Sequence, residues 1–201
     1  MFVTGQKFER IKQLSQDLNI PLSGLFMGFH QYLMHDCFKG QFHFQLITVS
    51  GRESIVDEFD TSRALGAFNN FIPLRLISNT NDSLYDLFQN VYLNYLNARM
   101  HQVIPYETIR EDFFVETQID IDLCRLGGVN FQEMPGVIEE DKSNKIILGT
   151  QILSNLHPLD IICRVRDNGI EIILIYQQNT EITLPLDALL DNVISKISPI
   201  G

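Results

Sequence analysis

Histidine is the side chain whose ordinary pKa lets it move protons near neutrality, and the sequence carries five: His30, His35, His43, His101 and His157. Their spacing is poor for joint work. His30 and His35 stand five apart, whereas two ligands on one helical face need a separation of three or four. His157-Pro158-Leu159-Asp160 could set an imidazole beside a carboxylate, but the segment reads better as the turn that opens a strand. Asp120 and Asp122 would share one face of a strand, either as a carboxylate pair or, more simply, as a solvated outer face. Cys37, Cys124 and Cys163 are odd in number, far apart and set among apolar residues. With no Cys-x-x-Cys pair, they read as buried thiols in a reducing compartment. No phosphate-cradling glycine loop, Walker lysine or nucleophile elbow occurs. The residues thus point to no catalytic group and no metal site. What stands out is two polar clusters beside apolar segments, Asn69-Asn70 ahead of "FIPLRL" and His101-Gln102 ahead of "VIPYE".

The elements that must position these clusters follow from periodicity. Phe8, Ile11, Leu14 and Leu18 recur at helical spacing over residues 6–18, and a more apolar helix is expected from about Ser23 to Phe38, stopped at Lys39-Gly40. "FHFQLITV", 42–49, reads as a strand ending at Ser50-Gly51-Arg52. "FIPLRLI" reads as a strand whose Pro73 suits an edge. A long helix is expected from Ser83 to about Met100, capped by Asn81 or Asp82. "QIDIDLC", 118–124, alternates and predicts another strand, while "QEMPGVIEEDKSN", 132–144, reads as a mobile acidic segment. "KIILGTQIL", "PLDIICRVRD" and "GIEIILIYQQN" predict three more strands, the last two joined as a hairpin across Asp167-Asn168-Gly169. Pro185 opens a closing helix that ends near Ile197. Three or four helices and about six strands predict an α/β fold, a two-layer mixed β-sheet with flanking helices, with residues 1–201 forming one lobe.

Composition narrows the partners. Hydrophobic residues at 45% against 20% charged describe a chain that buries a core. The net charge of −10 is spread along the whole chain with no basic run, so neither nucleic acid nor an anionic membrane surface is an expected partner. "MFVTGQKFERIKQ" is amphipathic rather than an uninterrupted apolar stretch, and no apolar run approaches a membrane span. A cytoplasmic location is the expectation.

The order of the short pieces is more specific than any one of them. Ser50-Gly51-Arg52 after a strand, Gly66-Ala67-Phe68-Asn69-Asn70 before "FIPLRL", a long helix, and then His101-Gln102-Val103-Ile104-Pro105-Tyr106-Glu107 follow one another. The series resembles the C-terminal half of condensation domains of nonribosomal peptide synthetases, with their strand–GR turn, "G-F-F-V-N-T-L-P-L-R" and "H-Q-D-x-P-F-E" segments. The closing "HPLDIICRVRDNGIEIILIYQQN" is similar to that family's terminal hairpin and helix. Asn70 matches the family asparagine. Asn69 stands where valine is usual, Phe71 where threonine is usual, and Val103 replaces an acid. The family's catalytic "H-H-x-x-x-D-G" string belongs to the N-terminal lobe and does not occur in these 201 residues, nor does the "D-x-x-x-x-D-x-x-S" string of heterocyclising relatives.

The resemblance implies a single chloramphenicol-acetyltransferase-like lobe. Two such lobes form a V with an active-site tunnel along their junction. There an acyl group on one carrier protein's phosphopantetheine arm is joined to an amine held on the next, with no cofactor bound by the lobe itself. The lobe would form the acceptor-side wall, with Asn69, Asn70, His101 and Gln102 as substrate-binding residues, no catalytic residue, and a histidine-bearing N-terminal lobe as partner. Asn70 could equally cap backbone, and His101 and Gln102 could equally satisfy the last carbonyls of the preceding helix. Two further readings remain open: a non-catalytic module that binds a carrier or partner protein, and a homo-oligomer in which His101 or His157 completes a site across an interface.

Overall fold

The computed structural model describes residues 1–37, 43–50, 69–75, 83–121, 125–134, 136, 157–177 and 185–197. Among these described residues, a six-stranded mixed sheet with five helices is built from β1 (Phe2–Thr4), α1 (Gly5–Asp17), α2 (Leu22–Cys37), β2 (His43–Val49), β3 (Asn70–Arg75), α3 (Leu84–Arg99), α4 (Tyr106–Thr117), β4 (Arg125–Glu133), β5 (Leu159–Arg166), β6 (Gly169–Tyr176) and α5 (Leu186–Ile197). The strand order is β1-β6-β5-β4-β2-β3. β2–β4 and β4–β5 are parallel and the other pairs antiparallel. The α/β expectation holds, β3 with its Pro73 lies at an edge, and β5 and β6 pair as a hairpin with Arg166 opposite Gly169.

Alternation along the strands sorts the two layers. Ile47 and Val49 of β2, Ile72 and Leu74 of β3 and Val129 of β4 pack with Met27 and Val91 of the helices. Leu159, Ile161 and Cys163 of β5, with Ile170 and Ile172 of β6, join α1, α2, Phe88 of α3 and α5 in the main core. Phe44 and Leu46 point the other way, onto Ile121, Tyr106 and Phe113 around α4. Cys163 is buried as a free thiol, and burial pushes its pKa up. Cys124 and the side chain of Cys37 lie outside the described residues, as do Lys39-Gly40, Gly51-Arg52, Gly66 and the strand expected over 145–153.

Three expectations are corrected, and one helix goes unread. The chain over 118–121 is not a strand: Gln118 closes α4 in the left-handed conformation with φ 59°. The apparent alternation there has separate causes, since Ile121 is buried, Ile119 is half exposed and Asp120 pairs with Arg110 at 2.8 Å. The strand comes later, as β4, whose Gly127-Gly128 pair weakens its signal and which runs through Gln132 and Glu133 into the segment expected to be a loop. α4 goes unread in the sequence because none of its residues is fully buried. Finally, the cap of α3 is Ser83, whose hydroxyl accepts the Asp86 amide at 3.1 Å while the Asp86 carboxylate accepts back from the Ser83 amide at 3.3 Å.

Two glycine contacts and one histidine fix how the helices sit. A Cβ on Gly24 or Gly28 would come within 2.8 Å of the Tyr92 ring or 2.6 Å of the Phe88 ring, so the two glycines let α3 lie close against α2. His30, fully buried, donates from Nε2 to the Leu159 carbonyl at 3.1 Å, and its Nδ1 accepts from Gln45 Nε2 at 3.0 Å. The same Gln45 amide donates to the Met27 carbonyl at 2.8 Å. Gly127 must be glycine for this, because a Cβ there would lie 2.5 Å from the ring.

Two stability predictions follow from these contacts. Gly28→Ala should lower unfolding free energy by about 1–3 kcal/mol through overpacking, read from urea midpoints, and Phe88→Leu in the same chain should recover part of the loss; an unchanged midpoint would refute the close packing. Burial lowers the His30 pKa from 6.5 to about 4, so the unfolded chain binds a proton there that the native chain refuses. The His30 contribution should be complete above pH 6.5 and be lost as pH falls toward 4, at up to about 1.4 kcal/mol per pH unit. His30→Gln should flatten that part of the urea-midpoint profile between pH 7 and 4.5, and a slope identical in both chains would count against it.

Candidate functional site

The two polar clusters meet. Asn70, the first residue of β3, donates from Nδ2 to the Gln102 carbonyl and to the Ile104 carbonyl, each at 2.8 Å. Its Oδ1 accepts the Tyr106 amide at 3.2 Å. The Phe71 and Tyr106 rings meet edge to face with centroids 6.3 Å apart. One side-chain amide therefore clamps the connection between α3 and α4 from both ends, 32 to 36 residues away in sequence. This is not a local Asx-turn: the backbone it caps is distant in sequence and includes the first amide of α4. His101 and Gln102 do satisfy the last carbonyls of α3, through their backbone amides, His101 on Ala98 O at 3.0 Å and Gln102 on Arg99 O at 3.1 Å.

Beside the clamp lies a cavity of about 200 Å³. Met27 of α2, Ile47 and Val49 of β2, and Val129 and Phe131 of β4 form its apolar floor; Ser23, Thr48, Ser50, Tyr95, Arg99 and Gln102 complete the lining. Floor residues Met27, Ile47 and Val129 are buried, whereas Ser50 is exposed and Ser23, Tyr95, Arg99 and Gln102 are partly exposed, so the hollow opens on the side of these polar residues. Arg99 is the one charged side chain among the described residues that line it. Of the four residues singled out in sequence, Gln102 reaches the cavity. Asn70 holds Gln102's backbone, and Asn69 and His101 are exposed nearby without lining it. The floor itself carried no recognisable sequence signal, since its residues are the ordinary alternating apolar positions of two strands.

The other polar groups form no second centre with this one. His157 donates from Nδ1 to Asp160 Oδ1 at 2.9 Å, and the same oxygen accepts the Gly128 amide at 2.6 Å. The segment does open β5, but its imidazole and carboxylate do pair. Asp160 alternates with the core residues Leu159 and Ile161, which sets it on the sheet face away from the cavity. Asp120 is engaged bidentately by Arg110, at 2.9 and 2.8 Å, and Asp122 lies outside the described residues. Among the described residues no group of three or more His, Cys, Asp or Glu could hold a metal ion, and no helix is long and apolar enough to cross a membrane.

Comparison with known proteins bears on the family and the fold. The family model described as "Condensation domain" matches residues 3–184. The condensation domain of the monacolin K polyketide synthase superposes with a TM-score of 0.67 at 12% identity, over 98% of this chain and 45% of that one. The epimerization domain from the third module of tyrocidine synthetase B gives 0.63 at 18% identity, over 98% and 45%. The X-domain in its complex with OxyB, from teicoplanin biosynthesis, gives 0.67 at 16%, over 98% and 43%. At these identities the structures speak to the fold alone, and the chain spans less than half the length of each. A search of curated proteins finds no match.

The clamp can be tested directly. Asn70→Ala should release the Tyr106 amide and the loop carbonyls, at a cost of about 1–3 kcal/mol for groups left unpaired. Asn70→Asp should keep the Tyr106 amide protected while losing both donations. Hydrogen exchange at Tyr106 reads the difference; equal protection in all three chains would contradict the clamp.

Proposed function

The chain belongs to the condensation-domain family, and from that membership we propose that it is the acceptor-side lobe of a condensation-type acyltransferase of nonribosomal peptide synthesis. In this reading it works beside a lobe that carries the H-H-x-x-x-D-G histidine, in the same polypeptide or in another. The reaction joins an acyl or aminoacyl thioester on one carrier protein to the amine of an aminoacyl thioester on a second, both tethered by phosphopantetheine. The nitrogen–carbon bond forms, the amine proton leaves, and the donor thiolate departs. The chain's share is to hold the amine where it can attack, while the partner lobe's histidine takes the proton. Asn70 is the positioning residue, Gln102 faces the bound acceptor, and Asn69 and His101 stand at the approach.

The observation that carries this reading is the Asn70 clamp. It joins the two motif segments that stand in family order into one rigid edge and sets Gln102 on a cavity. The placement of two histidines also supports it: His30 has both ring nitrogens engaged in the core, and His157 pairs with Asp160 across the sheet from the cavity. A second reading, a non-catalytic module that recruits a protein, is favoured by one structural neighbour's being a complex of the X-domain with OxyB. It is favoured too by an exposed apolar stripe, Leu93, Leu96 and Met100, along α3.

Purified chain given two loaded carrier proteins should yield no amide product by mass spectrometry. Adding a lobe with the H-H-x-x-x-D-G string should restore product, and replacing that lobe's second histidine by alanine should abolish it. Product from the chain alone, or product that survives the histidine replacement, would overturn the acceptor-lobe reading. Tight carrier binding with no product under any pairing would favour the recruiting module.

A further inference from the structure

The cavity beside Gln102 has the size and chemistry of a side-chain pocket. An apolar hollow of about 150 Å³ in an engineered protein is enough to take up benzene, and this one measures about 200 Å³. Its floor presents five apolar side chains, of which Met27, Ile47, Val49 and Val129 are each at most 8% exposed, while Ser23, Thr48, Ser50, Tyr95, Arg99 and Gln102 make up a polar rim. Among the described residues no acidic group lines it and the cationic Arg99 does, so an ammonium-bearing side chain would lose its water without gaining a counter-charge there. A glycyl or alanyl group would leave the hollow unfilled and forgo its contacts.

We propose that this cavity is a specificity pocket for an uncharged apolar side chain, of leucine to phenylalanine size, on the acceptor aminoacyl group. The assignment rests on the acceptor-lobe reading for the identity of the ligand. The side chain descends between α2 and α3 onto β2 and β4. The backbone of the acceptor remains at the Gln102 edge, where the Asn70 clamp fixes the loop and leaves the amine outside the pocket. Burying such a side chain favours it over glycine by on the order of 10- to 100-fold.

The probes are amide analogues of leucyl-, phenylalanyl-, glycyl- and lysyl-pantetheine, titrated into the whole chain with labelled Met, Ile and Val methyls. The leucyl or phenylalanyl analogue should shift the Met27, Ile47 and Val129 methyls saturably and bind at least tenfold more tightly than the glycyl and lysyl analogues. Val49→Phe, which fills the hollow, should erase that preference by bringing leucyl and phenylalanyl binding down to the level of the glycyl analogue. Unmoved floor methyls, equal affinity for all four analogues, or a preference that survives Val49→Phe would overturn the pocket. The two readings separate cleanly. Selective binding without condensation in the reconstituted pair leaves the pocket standing and removes the acceptor role. Condensation with no preference between leucyl and glycyl acceptors removes the pocket alone.

Discussion

His30 sits in the middle of α2 with both ring nitrogens bound to the sheet, one giving its proton to the Leu159 carbonyl and the other accepting from Gln45. A buried carbonyl or amide left without a partner costs about 1–3 kcal/mol, so α2 cannot slide or rotate over β2, β4 and β5 without breaking this link. Gln45 extends the constraint by donating to the Met27 carbonyl one turn away, although its own Oε1 finds no partner among the described residues. From that fixed helix the rest is placed in turn. Gly24 and Gly28 admit Tyr92 and Phe88, which seat α3. The end of α3 presents Tyr95, Arg99 and Gln102, and Asn70 receives the loop beyond. The cavity is the space enclosed between a helix locked by an imidazole and a loop locked by an amide.

Sequence periodicity disclosed the parts of this arrangement that bury a continuous face. α1 shows Phe8, Ile11 and Leu14 at helical spacing and all three are buried. The β5–β6 hairpin was legible from β-branched runs around an Asp-Asn-Gly turn. What stayed hidden buries little or breaks the pattern. β1 is three residues long, too short to alternate, and it is held by reciprocal bonds between Met1 and Ile172. α4 leaves Phe114 and Val115 exposed and offers only Tyr106 and Phe113 to a small cluster. β4 opens its described face with two glycines, which serve as clearance for His30 and Asp160 rather than as packing.

The site was legible by order and not by chemistry. Asn70 and Gln102 could be singled out because polar residues beside an apolar strand need a reason, yet the reason found here is a three-bond clamp across more than thirty residues, which no local pattern encodes. Likewise His30 reads in sequence as a poor metal ligand. Its partner carbonyl lies 129 residues on, so nothing near it in the chain announces the contact. Long-range polar links of this kind specify one packing among several compact ones, and they become visible when the sheet order is known.

The proposed role, a wall that positions substrate, is a narrow physical task. Misplacement by about an ångström can forfeit on the order of a hundredfold in rate, so the value of the wall lies in how firmly its edge is held. Here the edge is a loop pinned at two carbonyls and one amide by a single residue of an edge strand, backed by a ring contact. Proton transfer makes a different demand, namely a base within hydrogen-bond reach of the reacting nitrogen. His30 is buried in the core, His157 is held on the far face of the sheet, and His101 is exposed outside the cavity lining. Among the described residues, none of these three imidazoles lines the cavity, and that separation of positioning from proton transfer is what the proposed two-lobed site asks of this chain.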